Sequence, residues 1–340
     1  MEKIKGFFNN LYLHDTFFQI PHNSFSRRTV GLTSCKSKQE PDAVKPDAEL
    51  AQVQFNADSA YQYIVDQCDF GARVPNSEAH DRCADYIVKA FKRFGLTVNE
   101  QKTTVKGWDG KMLQCNNITA SYKPELRERI VICSHWDSRP WSDADPDSSK
   151  HREPVMAAND GASGVAVMME LARQIHQLNP SVGVDFVCFD SEDYGAPYWG
   201  PQTKDENDWC LGSQYWANNL PKDYKPRYGI LLDMVGGDDA QFKFEYYSMQ
   251  YAQNVVAKVW SAAQSVGADN YFLQQDGTAV TDDHIPMNRI ANIPTIDIIS
   301  DNGNGFSRTW HTTIDTPQNI SRETLKAVGQ TLIQTLFEEK

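Results

Sequence analysis

Acidic and imidazole side chains recur in short clusters from residue 134 to residue 311 of this 340-residue chain. The clusters lie at 134–137, 159–161, 190–193, 233, 282–284 and 310–311. One aspartate alone most often caps a helix or closes a turn. Several of these groups, however, follow apolar segments typical of strands, and ligands bind at the carboxyl ends of such strands. Clustered carboxylates repel one another without a cation, and zinc accepts both carboxylate and imidazole ligands, so the pattern predicts a metal site.

Apolar runs bounded by turn residues predict the strands that would position these clusters. Four runs are typical of central strands buried on both faces, at residues 130–133, 184–189, 230–235 and 294–299. Two more strands are predicted at 96–105 and 113–122, and long helices at 162–178, 251–266 and 323–337. A further helix would begin after Ser77 and end at Gly95. This alternation predicts a single α/β domain over residues 51–340, with three α/β/α layers around a twisted mixed sheet.

The composition excludes several classes of protein. Hydrophobic residues make up 40% of the chain, which is typical of a packed globule. A net charge of −12 argues against nucleic acid as a partner, because neutralising phosphates requires an excess of Lys and Arg. No apolar run reaches the roughly 20 residues needed to cross a bilayer, so no transmembrane span is predicted. The seven cysteines form no CxxC pair, which argues against a zinc site made of thiolates. Separately, we expect the protein to be a monomer.

Residues 1–50 differ from the rest, with an irregular start followed by a polar, proline-containing linker. Leu-Thr-Ser-Cys, ending at Cys35, has the form of a bacterial lipoprotein cleavage site and follows Arg27 and Arg28. The apolar stretch before it is shorter than a normal signal core. We expect export to the periplasm or membrane of a Gram-negative bacterium, with a lipid anchor at Cys35. The alternative, which stays open, is that the tetrapeptide occurs by chance.

Five motifs occur in one order along the chain. They are His-Trp-Asp-Ser at 135–138, Ala-Asn-Asp-Gly-Ala-Ser-Gly at 158–164, Phe-Asp-Ser-Glu-Asp at 189–193, Leu-Leu-Asp at 231–233 and Asp-Asp-His-Ile-Pro at 282–286. Together they resemble the zinc aminopeptidase superfamily of clan MH, family M28. Phe-Gly-Ala-Arg-Val-Pro at 70–75, the last of the five motifs and Trp-His-Thr at 310–312 are more similar to its glutaminyl-peptide cyclotransferases. The resemblance covers residue 51 to the C-terminus and implies the zinc aminopeptidase/phosphorylase-hydrolase-like fold.

The resemblance also implies the residues of the active site. Matched by position, the ligands of a single Zn²⁺ would be Asp160, Asp193 and His311. The proton-transfer groups would be Glu192 as general acid and base, with Asp233 and Asp282 as a proton-sharing network beside it. Animal members mostly carry Glu-Glu where this chain has Glu192 and Asp193, so the ligand here has a shorter arm.

The implied activity is conversion of an N-terminal glutamine of a peptide or protein to pyroglutamate, with release of ammonia. Zinc would stabilise the oxyanion, and a carboxyl of raised pKa would move the proton. Asp233 and Asp282 would supply that shift, since neighbouring carboxyls cannot all be ionised cheaply. The predicted walls of a small aromatic pocket are Trp199, Trp310 and Phe306.

Two alternatives remain open at this stage. A zinc aminopeptidase of the same family would bind a second metal at His135 and Asp233, and nothing in the spacing forbids that ion. A catalytically dead peptide-binding lipoprotein is the rival from another class. A separate acidic segment at 143–147 imitates the start of a calcium-binding loop but lacks its glycine, and is predicted to be a turn.

Overall fold

A computed structural model describes residues 49–201, 206–301 and 305–339. Its strands are β1 (Thr97–Lys106), β2 (Met112–Tyr122), β3 (Arg129–His135), β4 (Gly183–Phe189), β5 (Gly229–Asp233), β6 (Phe242–Phe244), β7 (Phe272–Asp276) and β8 (Thr295–Ile299). Six of them form the main sheet in the order β1-β2-β4-β3-β5-β8, and β6 pairs with β7 separately. The β1–β2 and β2–β4 pairs are antiparallel, whereas β3 runs parallel to β4 and β5, and β5 to β8. The predicted mixed sheet is therefore confirmed.

The helices are α1 (Ala57–Cys68), α2 (Glu78–Arg93), α3 (Ala162–Leu178), α4 (Leu211–Asn218), α5 (Tyr246–Ser265), α6 (His284–Arg289) and α7 (Arg322–Phe337). The predicted cap of α2 is present, because the Ser77 side chain accepts a hydrogen bond from the backbone of His80. Gly95 follows the end of this helix with φ +83°, a conformation that glycine adopts without a steric penalty.

The two faces of the sheet pack against different helices. On one face, Ile130 and Ile132 of β3 belong to a large apolar core with residues of α1, α2, α3, α5 and α7. On the other face, Val131 and Cys133 pack in a smaller cluster with Trp216 of α4 and Met287 of α6. Alternating strand residues thus separate two helical layers, and every residue of β3, β4, β5 and β8 is buried. The three-layer prediction is confirmed.

The structure also departs from the predicted elements. Helix α5 begins at Tyr246, five residues before the predicted start, because Glu245 caps it by accepting the backbone N–H groups of Tyr247 and Ser248. A non-helical Ala252 then interrupts the helix. Helices α1, α4 and α6 and the β6–β7 pair were not predicted.

The predicted linker and Cys35 lie outside the described residues, so the boundary at residue 50 stays a prediction. In the part of the chain that the structure describes, no helix has the length and apolar character of a membrane span.

The chain direction explains where the acidic clusters lie. Strands β3, β4 and β5 are mutually parallel or joined through a parallel neighbour, so their carboxyl ends share one edge of the sheet. Strand β3 ends at His135, β4 at Phe189 and β5 at Asp233. The clusters at 135–137, 190–193 and 233 therefore leave the sheet side by side.

Candidate active site and metal centre

Asp160, Asp193 and His311, the three predicted zinc ligands, lie together. They are buried, and one possible ligand atom from each lies within 4.8 Å of the others. Nε2 of His311 is 3.1 Å from Oδ1 of Asp193 and 3.6 Å from Oδ2 of Asp160. They come from the loop before α3, the loop after β4 and the loop before α7. Two carboxylates and one imidazole in this arrangement suit a zinc ion with an open position.

A second group of the same kind shares Asp160. Nε2 of His135 lies 3.0 Å from Oδ1 of Asp160 and 3.3 Å from Oδ1 of Asp233. These three residues also have ligand atoms within 4.8 Å of one another. The two oxygens of Asp160 thus face different histidines. The structure therefore brings together both the predicted ligands of a single zinc ion and those of the alternative second metal.

The residues of both groups fit a metal ion by a further criterion. Within the described residues, Oδ2 of Asp193, Oδ1 of Asp233 and both ring nitrogens of His135 are buried and make no hydrogen bond of suitable geometry, although Nε2 of His135 lies close to two carboxylate oxygens. A buried polar atom left unpaired costs free energy, which coordination to a cation would recover. The donor set, of carboxylate oxygens and imidazole nitrogens, is one that zinc prefers.

The side chain of Glu192 lies next to the two groups of possible metal ligands and is almost completely buried. Its carboxyl oxygen lies within 4.8 Å of a carboxyl oxygen of Asp282, and Oε1 is 3.4 Å from Sγ of Cys210. Burial raises the pKa of Glu192 well above its ordinary value. The charge of His135 opposes this shift, whereas the carboxylates of Asp193, Asp282 and Asp283 increase it. A carboxyl whose pKa is raised in this way is suited to general acid and base catalysis.

Asp233 and Asp282 form the acidic surroundings that the sequence predicts. Burial, reinforced by Asp160, raises the pKa of Asp233 to about 6. Burial, reinforced by Asp233, raises the pKa of Asp282 to about 7. The predicted cause of the raised pKa of Glu192 needs one correction. Burial and the carboxylates of Asp193, Asp282 and Asp283 raise it, whereas Asp233 raises the pKa of Asp282.

Two buried aspartates without a predicted role hold the loops that carry the site. Asp137 accepts the backbone N–H groups of Glu192 and Asp193 at 3.1 and 3.2 Å. Asp315 accepts those of residues 159 and 160 at 2.8 and 3.0 Å. Asp137 belongs to the His-Trp-Asp-Ser motif, although no role is predicted for it, whereas the signal for Asp315 is only its position four residues after residue 311.

Several residues of the site have unusual backbone conformations. Ser191, Met234 and His311 have φ values of +56°, +49° and +52°, in the left-handed region that L-residues rarely adopt. Gly161 has φ +97°, and a Cβ there would come within 2.8 Å of the His135 ring. Such strain persists where surrounding contacts enforce it, and it is common at functional sites.

The three predicted pocket residues fall into two groups. The Trp310 ring stacks on the His311 ring with centroids 3.8 Å apart, and Phe306 packs on Trp310 at 5.0 Å. Trp199 instead packs against Trp141 at 6.4 Å, in a neighbouring aromatic group. The structure thus brings Trp310 and Phe306 to the metal ligands and places Trp199 in another group.

The chain is similar to zinc peptidases and to glutaminyl cyclases. The profile of peptidase family M28 matches residues 117–336. A glutaminyl cyclase from Bacteroides thetaiotaomicron is 46% identical and superposes with a TM-score of 0.83, covering 85% of this chain and 99% of that one. A Zn-dependent exopeptidase from Parabacteroides distasonis is 47% identical with a TM-score of 0.82, covering 84% and 99%.

Among curated proteins, the aminopeptidase YwaD of Bacillus subtilis is 26% identical over 266 residues, covering 74% of this chain and 51% of that protein. The chain spans about half the length of the first curated relatives it matches. The family resemblance carried by the five motifs is confirmed by the profile match, which covers more than half of the sequence. The chain therefore belongs to peptidase family M28.

Proposed function

We propose that this protein is a zinc-dependent glutaminyl-peptide cyclotransferase, which converts the N-terminal glutamine of peptides or proteins to pyroglutamate and releases ammonia. The observation that carries the proposal is Glu192, a buried carboxyl of raised pKa that lies close to Asp282 and directly precedes the predicted ligand Asp193. The similarity to a bacterial glutaminyl cyclase at 46% identity supports it.

The reaction needs no external nucleophile. The α-amine of the substrate attacks the side-chain amide carbon, a new carbon–nitrogen bond closes the ring, and the original carbon–nitrogen bond breaks. Glu192 takes a proton from the attacking amine and delivers it to the departing nitrogen, which leaves as ammonia. A carboxyl of raised pKa takes up and returns a proton more readily, and burial, together with neighbouring carboxylates, raises the pKa of Glu192.

Other residues of the chain would hold the metal, the proton and the substrate. Asp160, Asp193 and His311 would hold one zinc ion. Bound there, zinc supplies a Lewis acid that polarises the amide carbonyl and stabilises negative charge on its oxygen. Asp282, with a pKa of about 7, can share the proton with Glu192 near neutral pH. Trp310 offers an apolar surface that would keep the glutamine side chain curled for attack.

A zinc aminopeptidase is the second candidate, and one observation favours it. His135, Asp160 and Asp233 form a second possible ligand group, as a two-metal peptidase would require. Such an enzyme would hydrolyse the first peptide bond and release a free amino acid. The similarity to a Zn-dependent exopeptidase agrees with this candidate as well.

One experiment separates the candidates. The purified protein is analysed for zinc per chain and incubated with matched peptides that begin with glutamine, leucine or acetylated glutamine. One zinc, with ammonia released from the free glutamine peptide alone, supports the cyclotransferase. Two zinc ions with release of free amino acids would contradict it. Peptide binding without either product would instead support the catalytically dead binding protein.

We also propose export with a lipid anchor at Cys35 and a monomeric state, both from the sequence. Labelled palmitate should enter the full chain expressed in a Gram-negative host and be absent from Cys35→Ala. Equal labelling of the two proteins would rule out that anchor.

Sedimentation of the purified chain at several concentrations tests the monomer.

A further inference from the structure

A buried arginine lies against one of the predicted zinc ligands. Nη1 of Arg139 donates to Oδ1 of Asp193 at 3.3 Å and to the backbone oxygens of Asp193 and Gly195. Its Nε and Nη2 donate to the two carboxylate oxygens of Asp143 at 2.6 and 2.7 Å. The guanidinium lies over the rings of Trp209 at 4.8 Å and Trp141 at 5.4 Å. Two hydrogen-bonded carboxylates and two aromatic rings leave this group little freedom.

Asp143 connects the arginine to a second predicted ligand. Its Oδ1 lies 3.5 Å from Nδ1 of His311, whose Nε2 lies 3.1 Å from Oδ1 of Asp193. Arg139, Asp143, His311 and Asp193 therefore form a closed ring of contacts. One ion pair outside the ligand set thus contacts two of the three ligands.

The surrounding loop strengthens this connection. The backbone N–H of Ala144 donates to the carbonyl oxygen of His311. Oδ2 of Asp145 accepts both the backbone N–H and the hydroxyl of Thr313, at 2.9 and 2.6 Å. The segment at 143–147, predicted only as a turn, therefore braces the loop that carries His311.

A histidine that coordinates through Nε2 must carry its proton on Nδ1. A carboxylate at Nδ1 selects this tautomer and fixes the plane of the ring. In the same way, a guanidinium on one oxygen of Asp193 fixes its rotamer, while Oδ2 of Asp193 is buried without a hydrogen-bond partner among the described residues.

We propose that Arg139 and Asp143 are positioning residues, which orient His311 and Asp193 for the metal and so set its affinity. This inference rests on the metal site of the proposed function. It assigns the ion pair a role in metal binding rather than in the stability of the fold.

The test compares two buried Arg–Asp pairs of the same geometry. Asp143→Asn keeps the shape of the side chain but removes its charge. Its zinc dissociation constant, measured by competition with a chelator, is expected to rise about 10- to 100-fold. The visible spectrum of the Co²⁺-substituted protein, which reports ligand geometry, should change as well.

The matched control is Asp185→Asn. Asp185 pairs with Nε and Nη2 of buried Arg129 at 2.6 and 2.7 Å, near the start of β3 and β4 and away from the metal groups. This variant should lose stability but keep the wild-type zinc affinity and Co²⁺ spectrum. Arg139→Lys, which keeps the charge and loses the fork, is a second test variant and should also weaken zinc binding.

Two results would overturn the inference. The first is wild-type zinc affinity and an unchanged Co²⁺ spectrum in Asp143→Asn, or in Arg139→Lys if the former does not fold. The second is an equal loss of zinc affinity in folded Asp185→Asn, which would make the effect a general one. A wild-type protein that binds zinc but releases no ammonia would contradict the proposed function alone, because the variants are still compared by affinity.

Discussion

The central strands carry acidic side chains at both ends, and the two ends are built differently. Near the start of β3 and β4, Asp185 accepts Nε and Nη2 of Arg129 and the hydroxyls of Tyr224 and Ser121, at 2.5 to 2.7 Å. Each of its oxygens has two donors. This end of the sheet is a closed network in which the buried charge is fully paired.

At the carboxyl end, some of the buried acids are less fully paired. Oδ2 of Asp193, Oδ1 of Asp233 and Oδ2 of Asp282 have no hydrogen-bond partner among the described residues. The adjoining residues Ser191 and Met234 have left-handed backbone conformations. The same residue type therefore stabilises the fold where its oxygens are satisfied, and is available to a metal or a proton where they are not.

The largest expected effect tests the open end. Glu192→Gln keeps the size of the side chain but cannot transfer a proton, so ammonia release should fall about 10²- to 10⁴-fold. Zinc content should be unchanged, and the melting temperature should not fall, because one of several mutually repelling carboxyls is removed. The control is Glu125→Gln at an exposed position, which should behave as wild type. Activity retained in Glu192→Gln would show that another residue moves the proton.

The closed end should respond in the opposite way. Arg129→Met leaves Asp185 buried without its cation, which is expected to cost about 3–5 kcal/mol of unfolding free energy. Zinc binding and turnover per folded molecule should stay at the wild-type level. Urea unfolding followed by fluorescence measures the loss. The double variant Arg129→Met/Asp185→Leu should recover much of it, and no recovery would mean that the pair is not the cause.

A third site lies between these extremes, because it is at the carboxyl end but paired. Nε2 of buried His80 is 2.9 Å from Oδ1 of Asp190. Burial opposes a charge on the ring, but the Asp190 carboxylate more than offsets it and raises the pKa of His80. A pKa raised by folding means that the stabilisation is complete below the unfolded value of about 6.5 and is lost as pH rises through the folded value.

The free energy of unfolding of His80→Gln should therefore differ from wild type most in acid and least in alkaline buffer, as measured by urea unfolding across pH. The matched control variant is His176→Gln, at an exposed ring. A constant difference for His80→Gln would contradict a charged His80–Asp190 pair.

The sequence predicts regular elements well where the signals are local, and less well where a boundary depends on a side-chain contact. Helix α3 is predicted at 162–178 and observed as Ala162–Leu178, because periodicity and turn residues are local signals. The start of α5 was wrong, since its first turn depends on the Glu245 side chain rather than on an apolar period. The five motifs predict which acids approach the metal groups.

What the sequence could not predict depends on contacts between distant segments. Asp143 was interpreted as part of a turn because its contact with His311 exists only after the two loops pack together. Asp315 carries no signal except its spacing, and its role appears when its carboxylate meets the loop before α3. Trp199 was grouped with Trp310 by residue type, whereas packing places it beside Trp141.

The smallest expected effect concerns these two groups of aromatic residues. It tests which of them borders the substrate pocket at the carboxyl end of the sheet. Trp310 stacks directly on His311, so Trp310→Ala should lower kcat/KM for a glutamine peptide by about tenfold, the upper range for an aromatic contact. Trp199→Ala should have a smaller effect, because its contacts are with Trp141 and the neighbouring His151. Steady-state kinetics on a short and a longer glutamine peptide measure both. If Trp199→Ala is the more damaging variant on the short peptide, the reacting side chain lies against Trp199, and the pocket extends beyond the acids at the carboxyl end of the sheet.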